Sequence, residues 1–163
     1  MSILTALFGK SKITKSQFYN SIQRLRSKSK YFDDELKDND KLIHELHSKN
    51  PNDPQIDIIG AKSIEKKKSM DKIAKEYDTL IVQYLQQLQN DLNLLKHKIN
   101  QIEGSITAYE SSIKSEKDSS KIFELKKKFA ELSQNRSELE NQQKIVQEEI
   151  GTVKKDYTTI AGY

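Results

Sequence analysis

Two histidines three residues apart, His44 and His47, are the first side chains whose type and spacing could do chemistry. On a helix that spacing puts both on one side, where they could share a divalent metal. A zinc site usually takes about four ligands. Here the sequence has no cysteine, and both histidines flank apolar residues, Ile43 and Leu46. A solvated helix face is expected instead. The acidic run Asp33-Asp34-Glu35, with Asp38 and Asp40, could attract a cation, but it lacks the glycine and closing glutamate of a calcium loop. Gly9-Lys10-Ser11 resembles the end of a phosphate-binding loop without its earlier glycine or preceding strand. No nucleophile, base and orienting group fall into a usable spacing. The expectation is no catalytic residue, no cofactor, no metal, and so no enzyme.

The charge pattern narrows the partner. Twenty-eight basic residues against 24 acidic ones give a net charge of +4, and only three of the basic residues are arginine: Arg24, Arg26 and Arg136. Arginine is the side chain suited to bidentate phosphate contact. The lysine triplets Lys66–Lys68 and Lys126–Lys128 have no interleaved aromatic residues for base stacking. They read as charges that keep a helix solvated, and nucleic acid is not the expected partner. Without cysteine, disulfides and thiolate chemistry are excluded. No run approaches the ~18 apolar residues that cross a bilayer, and no basic residue precedes the short apolar stretch at the N-terminus. The expected location is the cytoplasm or the interior of an assembled particle, with no signal peptide and no membrane span.

That N-terminal stretch is a candidate contact. Ile3, Leu4, Leu7 and Phe8 fall on one side of a short helix, followed by Lys10, Lys12 and Lys15. Two turns are too short to hold a helix alone in water. The arm therefore needs its own bundle, a neighbouring subunit, or a membrane surface with the lysines at the headgroups. A short apolar arm ahead of a long helical hairpin resembles the layout of the ESCRT-III and phage-shock-protein-A membrane-remodelling proteins. That resemblance implies a peripheral membrane-binding or membrane-remodelling role anchored by residues 1–15. The two-helix stalk proteins of secretion ATPases are similar in layout too.

The elements that must position these residues are helices. Apolar residues make up 34% of the chain and charged ones 32%, against about 45–50% apolar in a globular domain. That is enough for narrow seams and too little for a broad core. The positions Ile122, Leu125, Phe129, Leu132, Arg136, Leu139, Gln143, Val146, Ile150, Val153, Tyr157 and Ile160 alternate three and four without a slip. This is the coiled-coil repeat. Ile81, Leu85, Leu88, Leu92, Leu95, Ile99, Ile102, Ile106, Tyr109 and Ile113 repeat it, and Met70, Ile73 and Tyr77 extend it upstream. A third stripe runs Phe18, Ile22, Leu25, Ser29, Phe32, Leu36, Asn39, Ile43, Leu46. Pro51 and Pro54 break the chain after the first stripe, and the polar run Lys114–Ser120 breaks it after the second, with Asp118 or Ser119 as a cap.

The expected fold is all-α: an elongated three-helix coiled-coil rod ending in a C-terminal antiparallel helical hairpin. Residues 1–13 form the arm, and residues 14–163 form a single elongated domain with helices near 15–48, 54–116 and 119–160. Folding at the first break is expected to bring Leu36 near Met70 and Leu25 near Ile81; at the second, Ile106 near Phe129 and Leu95 near Leu139. Arg136 and Gln143 occupy seam positions where polar residues fix register or partner number at some cost in stability, and Glu103 is a candidate partner for Arg136. Between Tyr77 and Leu88 the apolar residues Leu80, Ile81, Val82, Tyr84 and Leu85 face nearly every direction. A helix apolar all round is buried on several sides, so Tyr77, Leu80, Ile81, Val82, Tyr84, Leu85 and Leu88 are the candidate multi-helix or oligomer core. The functional expectation is a structural or scaffolding component of a larger assembly: a virion, a secretion machine or a cytoskeletal complex. It would act by docking helix faces with protein partners, as a homo-oligomer or in a hetero-assembly. The alternatives are the membrane surface and an adaptor or chaperone that binds a helical partner.

Overall fold

The computed structural model describes residues 12–160, with side chains described up to residue 156. Those residues form three α-helices and no strand: α1 (Lys15–Lys49), α2 (Pro54–Ser115) and α3 (Ser119–Ile160). Local side chains set the helix starts at Lys15, Pro54 and Ser119. Thr14 caps α1 by accepting from the Gln17 backbone N–H at 3.2 Å, while the Thr14 N–H donates to Gln17 Oε1 at 2.9 Å. This reciprocal capping box satisfies two donors that a helix start leaves open. Asp53 caps α2 through its carboxylate, which accepts from the Gln55 N–H at 2.9 Å. Pro54 then fills the first helical position, where its missing N–H costs nothing.

Packing divides the described residues inside α2 into two units, one ending at Tyr84 and one beginning at Leu85. In the first, α1 lies antiparallel to the first part of α2. The Phe18 and Tyr84 rings stack with centroids 4.1 Å apart, Arg26 donates to the Tyr77 hydroxyl at 3.4 Å, and Asn39 Nδ2 donates to Ser63 Oγ at 3.0 Å. Ile13, Phe18, Ile22, Leu36, Tyr77, Leu80, Ile81 and Tyr84 are its buried apolar residues. Leu80 has no exposed surface at all, and full burial of such a side chain stabilises by roughly 1.5–3 kcal/mol.

The register within this pair differs from the expected one. Asn39 meets Ser63 and Phe18 meets Tyr84, which places the level of Leu36 near Lys66, not Met70. The difference is four residues, about one helical turn or 5.4 Å. The cause is the tightness of the connection. The Asn50 N–H donates to the Leu46 carbonyl at 2.8 Å and the Asp53 N–H to the Asn50 carbonyl at 3.1 Å. Four residues, Asn50 to Asp53, thus complete the reversal, centred between Pro51 and Asn52 and not beyond them.

In the second unit, α3 turns back along the later part of α2 to form a helical hairpin. Glu116 and Asp118 build the turn. Glu116 Oε1 accepts from the backbone N–H of Lys117 at 2.9 Å and of Asp118 at 3.1 Å; Asp118 Oδ1 then accepts from the Ser120 N–H at 2.9 Å. Arg136 Nη2 reaches Glu103 Oε1 at 3.1 Å across the two helices. The described seam residues of α3, from Ile122 to Val153, are each at least partly shielded, at the same three–four spacing as in the sequence. Shielding in α1 and α2 repeats with the same alternation.

Candidate functional site

The described residues present helix surfaces and one cleft between helices. In the second unit, the seam is thinly covered. Leu88, Leu92 and Ile99 are buried, and so are Glu149 and Val153, but no residue between Ile99 and Glu149 is. Ile102, Ile106, Tyr109 and Ile113 on α2, with Ile122, Leu125, Phe129 and Leu132 on α3, are all half-covered. Two helices alone cannot enclose side chains of this size. Phe123 beside that seam is 73% exposed, and Ile145 and Leu94 are also exposed.

In the first unit, an open cleft of about 800 Å³ runs between α1 and α2. Phe32 and Ile73 supply apolar lining, Tyr31 stands at its edge with 60% of its surface exposed, and Arg24, Lys28 and Lys72 bring positive charge. Tyr31 donates from its hydroxyl to Glu35 Oε1 at 3.0 Å, and Lys66 Nζ lies 3.0 Å from Glu35 Oε2. The Lys66 contact, with a smaller contribution from Tyr31, holds the Glu35 carboxyl below its ordinary value against the opposing effect of desolvation. The same carboxylate raises the Tyr31 hydroxyl, first by accepting its hydrogen bond and then by its charge. Both shifts favour a charged Glu35 and a neutral tyrosine, an arrangement that fixes the ring's position.

The residues that the sequence singles out fall into distinct places. Arg136 is about half exposed, and besides Glu103 it donates from Nε to Glu140 Oε1 at 2.9 Å, one turn along its own helix. Gln143 is partly shielded. Of the apolar cluster, Tyr77, Leu80, Ile81, Tyr84 and Leu88 are buried, Leu85 is partly shielded, and Val82 faces outward. Ile3, Leu4, Leu7 and Phe8 lie outside the described residues. His44 and His47 are exposed. Among the described residues no three histidine, aspartate or glutamate side chains converge as a metal would need, and no helix is long and apolar enough to cross a membrane.

Sequence reasoning missed the Asn39–Ser63 pair. Ser63 is only 6% exposed, and its hydroxyl receives the amide of the one α1 seam residue able to donate to it. The signal was present, since Ser63, Lys66, Met70, Ile73 and Tyr77 continue the three–four stripe upstream. Also missed was a second stripe on α1, beside the seam and along the cleft: Arg24, Lys28, Tyr31, Glu35, Asp38 and Leu42, again spaced four and three. No protein-family model, curated protein or solved structure matches this chain.

Proposed function

We propose that this chain is a structural or scaffolding component of a larger macromolecular assembly, an elongated coiled-coil rod that works by docking helix faces against protein partners. What supports the reading is the half-covered seam of the second unit. These eight half-covered apolar positions would gain from a third helical surface, and burying the remaining apolar area contributes roughly 25 cal/mol per Å². A hairpin evolved to stand alone in water would gain more from polar residues flanking so narrow a seam. Long helices joined by short, fully capped turns also suit a spacer, since they hold distance without a hinge loop.

Solution scattering with mass measurement on the full chain tests this. The expected result is an extended particle whose mass exceeds 18.9 kDa, or an extended monomer that gains mass with its assembly partner. A compact 18.9 kDa monomer would overturn the rod. Co-sedimentation with anionic vesicles, lost on removing residues 1–9, would transfer the reading to a membrane surface.

A further inference from the structure

The cleft-side stripe of α1 is antisymmetric in charge about one aromatic residue. Before Tyr31 come Arg24, Arg26, Lys28 and Lys30; after it come Asp33, Asp34, Glu35, Asp38 and Asp40 against a single lysine, Lys37. On the stripe itself Arg24 and Asp38 are equally far from Tyr31 along the helix, and Lys28 and Glu35 flank it about one turn to either side. We infer that this stripe docks a second copy of the chain, laid antiparallel across α1 with the two-fold axis at Tyr31.

In that pairing the stripe residues on one side of Tyr31 face those on the other. Arg24 of one copy meets Asp38 of the other, with Lys28 and Glu35 alongside, and the two Tyr31 rings meet at the axis. The same contacts recur with the roles exchanged, which is what an isologous interface requires. A parallel copy would set four basic residues against four basic ones and is repelled. The exposed Tyr31 ring, beside the apolar lining of Phe32 and Ile73, supplies a central anchor of the type that carries binding energy. On the opposite wall of the cleft Lys72 and Glu76 offset one another, which leaves the α1 stripe to set the charge. Existing local pairs do not compete strongly: Asp38 lies 3.9 Å from Lys41, with both side chains more than three-quarters exposed, and such pairs are weak.

This interface deepens the scaffold reading and rests on it, and charge reversal separates the two. One chain carries Arg24→Asp and a second carries Asp38→Lys. Both positions are exposed, and circular dichroism verifies the helices. The wild-type chain is expected to dimerise at low salt and to weaken as salt rises. Each reversed chain alone is expected to associate roughly tenfold or more weakly than wild type, because like charges then face one another. An equimolar mixture of the two is expected to regain a dimer, since the reversed position of each chain then meets an opposite charge on the other. A wild-type chain monomeric at low salt overturns the interface, as does a mixture that fails to associate. Wild-type association indifferent to both reversals also overturns it, yet leaves the scaffold reading standing.

Discussion

The hydrogen bond from Asn39 Nδ2 to Ser63 Oγ, 3.0 Å long and part-buried, makes a sharp test of how α1 and α2 hold their register. Three chains suffice: Ser63→Ala, Asn39→Leu, and both together. A neutral hydrogen bond contributes about 1 kcal/mol net. Asn39 is only partly shielded, so water can reach its amide once Ser63 is gone, and Ser63→Ala should cost about 1 kcal/mol. Asn39→Leu loses the same bond. The stranded Ser63 hydroxyl can turn to a carbonyl one turn back, and the half-buried leucine returns about 1 kcal/mol, for a net change near zero. The double variant loses the bond only once, and so should also lie near zero and not at the additive loss of about 1 kcal/mol. Denaturant melts followed by circular dichroism would then give a coupling energy of about 1 kcal/mol. Coupling indistinguishable from zero would refute the pairing. Register can be read separately, because the chain has no native cysteine. Asn39→Cys with Ser63→Cys should oxidise readily to a disulfide, whereas Asn39→Cys with Lys67→Cys, one turn further on, should not. The reverse result would restore the register read from the sequence.

Gly104 and Gly151 sit exposed inside helices with nothing within 4 Å of an added Cβ. Gly104→Ala and Gly151→Ala should each stabilise by about 1 kcal/mol in thermal melts, and a loss at either would reveal a close approach there. Glu116 is held below its ordinary value by the backbone N–H donors of Asp118 and then Lys117. A lowered folded value means its stabilisation is present above the unfolded value of about 4.3 and lost as pH falls through the folded one. Glu116→Ala should therefore flatten the acid limb of the stability profile, and an unchanged limb would show that the cap contributes nothing there.

Much of the fold was legible because its signals are local. Asp53 and Asp118 each mark a helix start through a side chain two residues from the backbone group it satisfies, and spacing alone gave the shielded face of every helix. Register was not legible in the same way. A three–four stripe overlays itself after every heptad and nearly does so after one turn, so it cannot choose among slides of α1 along α2. The turn geometry at Asn50–Asp53 and the Asn39–Ser63 contact make that choice, and neither shows in a periodicity. The charged stripe around Tyr31 was hidden for another reason. A run such as Asp33–Glu35 reads as solvated helix surface until its distance from Arg24 and Lys28 is measured about a central residue. Val82 stood in the expected apolar cluster because apolarity does not tell which side of a helix is covered.

The two packing units part at Tyr84 and Leu85, in the interior of one 62-residue helix. There is consequently no loop at the boundary for a protease to enter, and no seam at which evolution could exchange one unit while leaving the other intact. A break there strands the carbonyls of one fragment and the amides of the other, four of each. An insertion or recombination point is therefore expected to be tolerated at Asn50–Asp53 or at Glu116–Asp118, where the backbone already reverses, and not at the place where the packing divides.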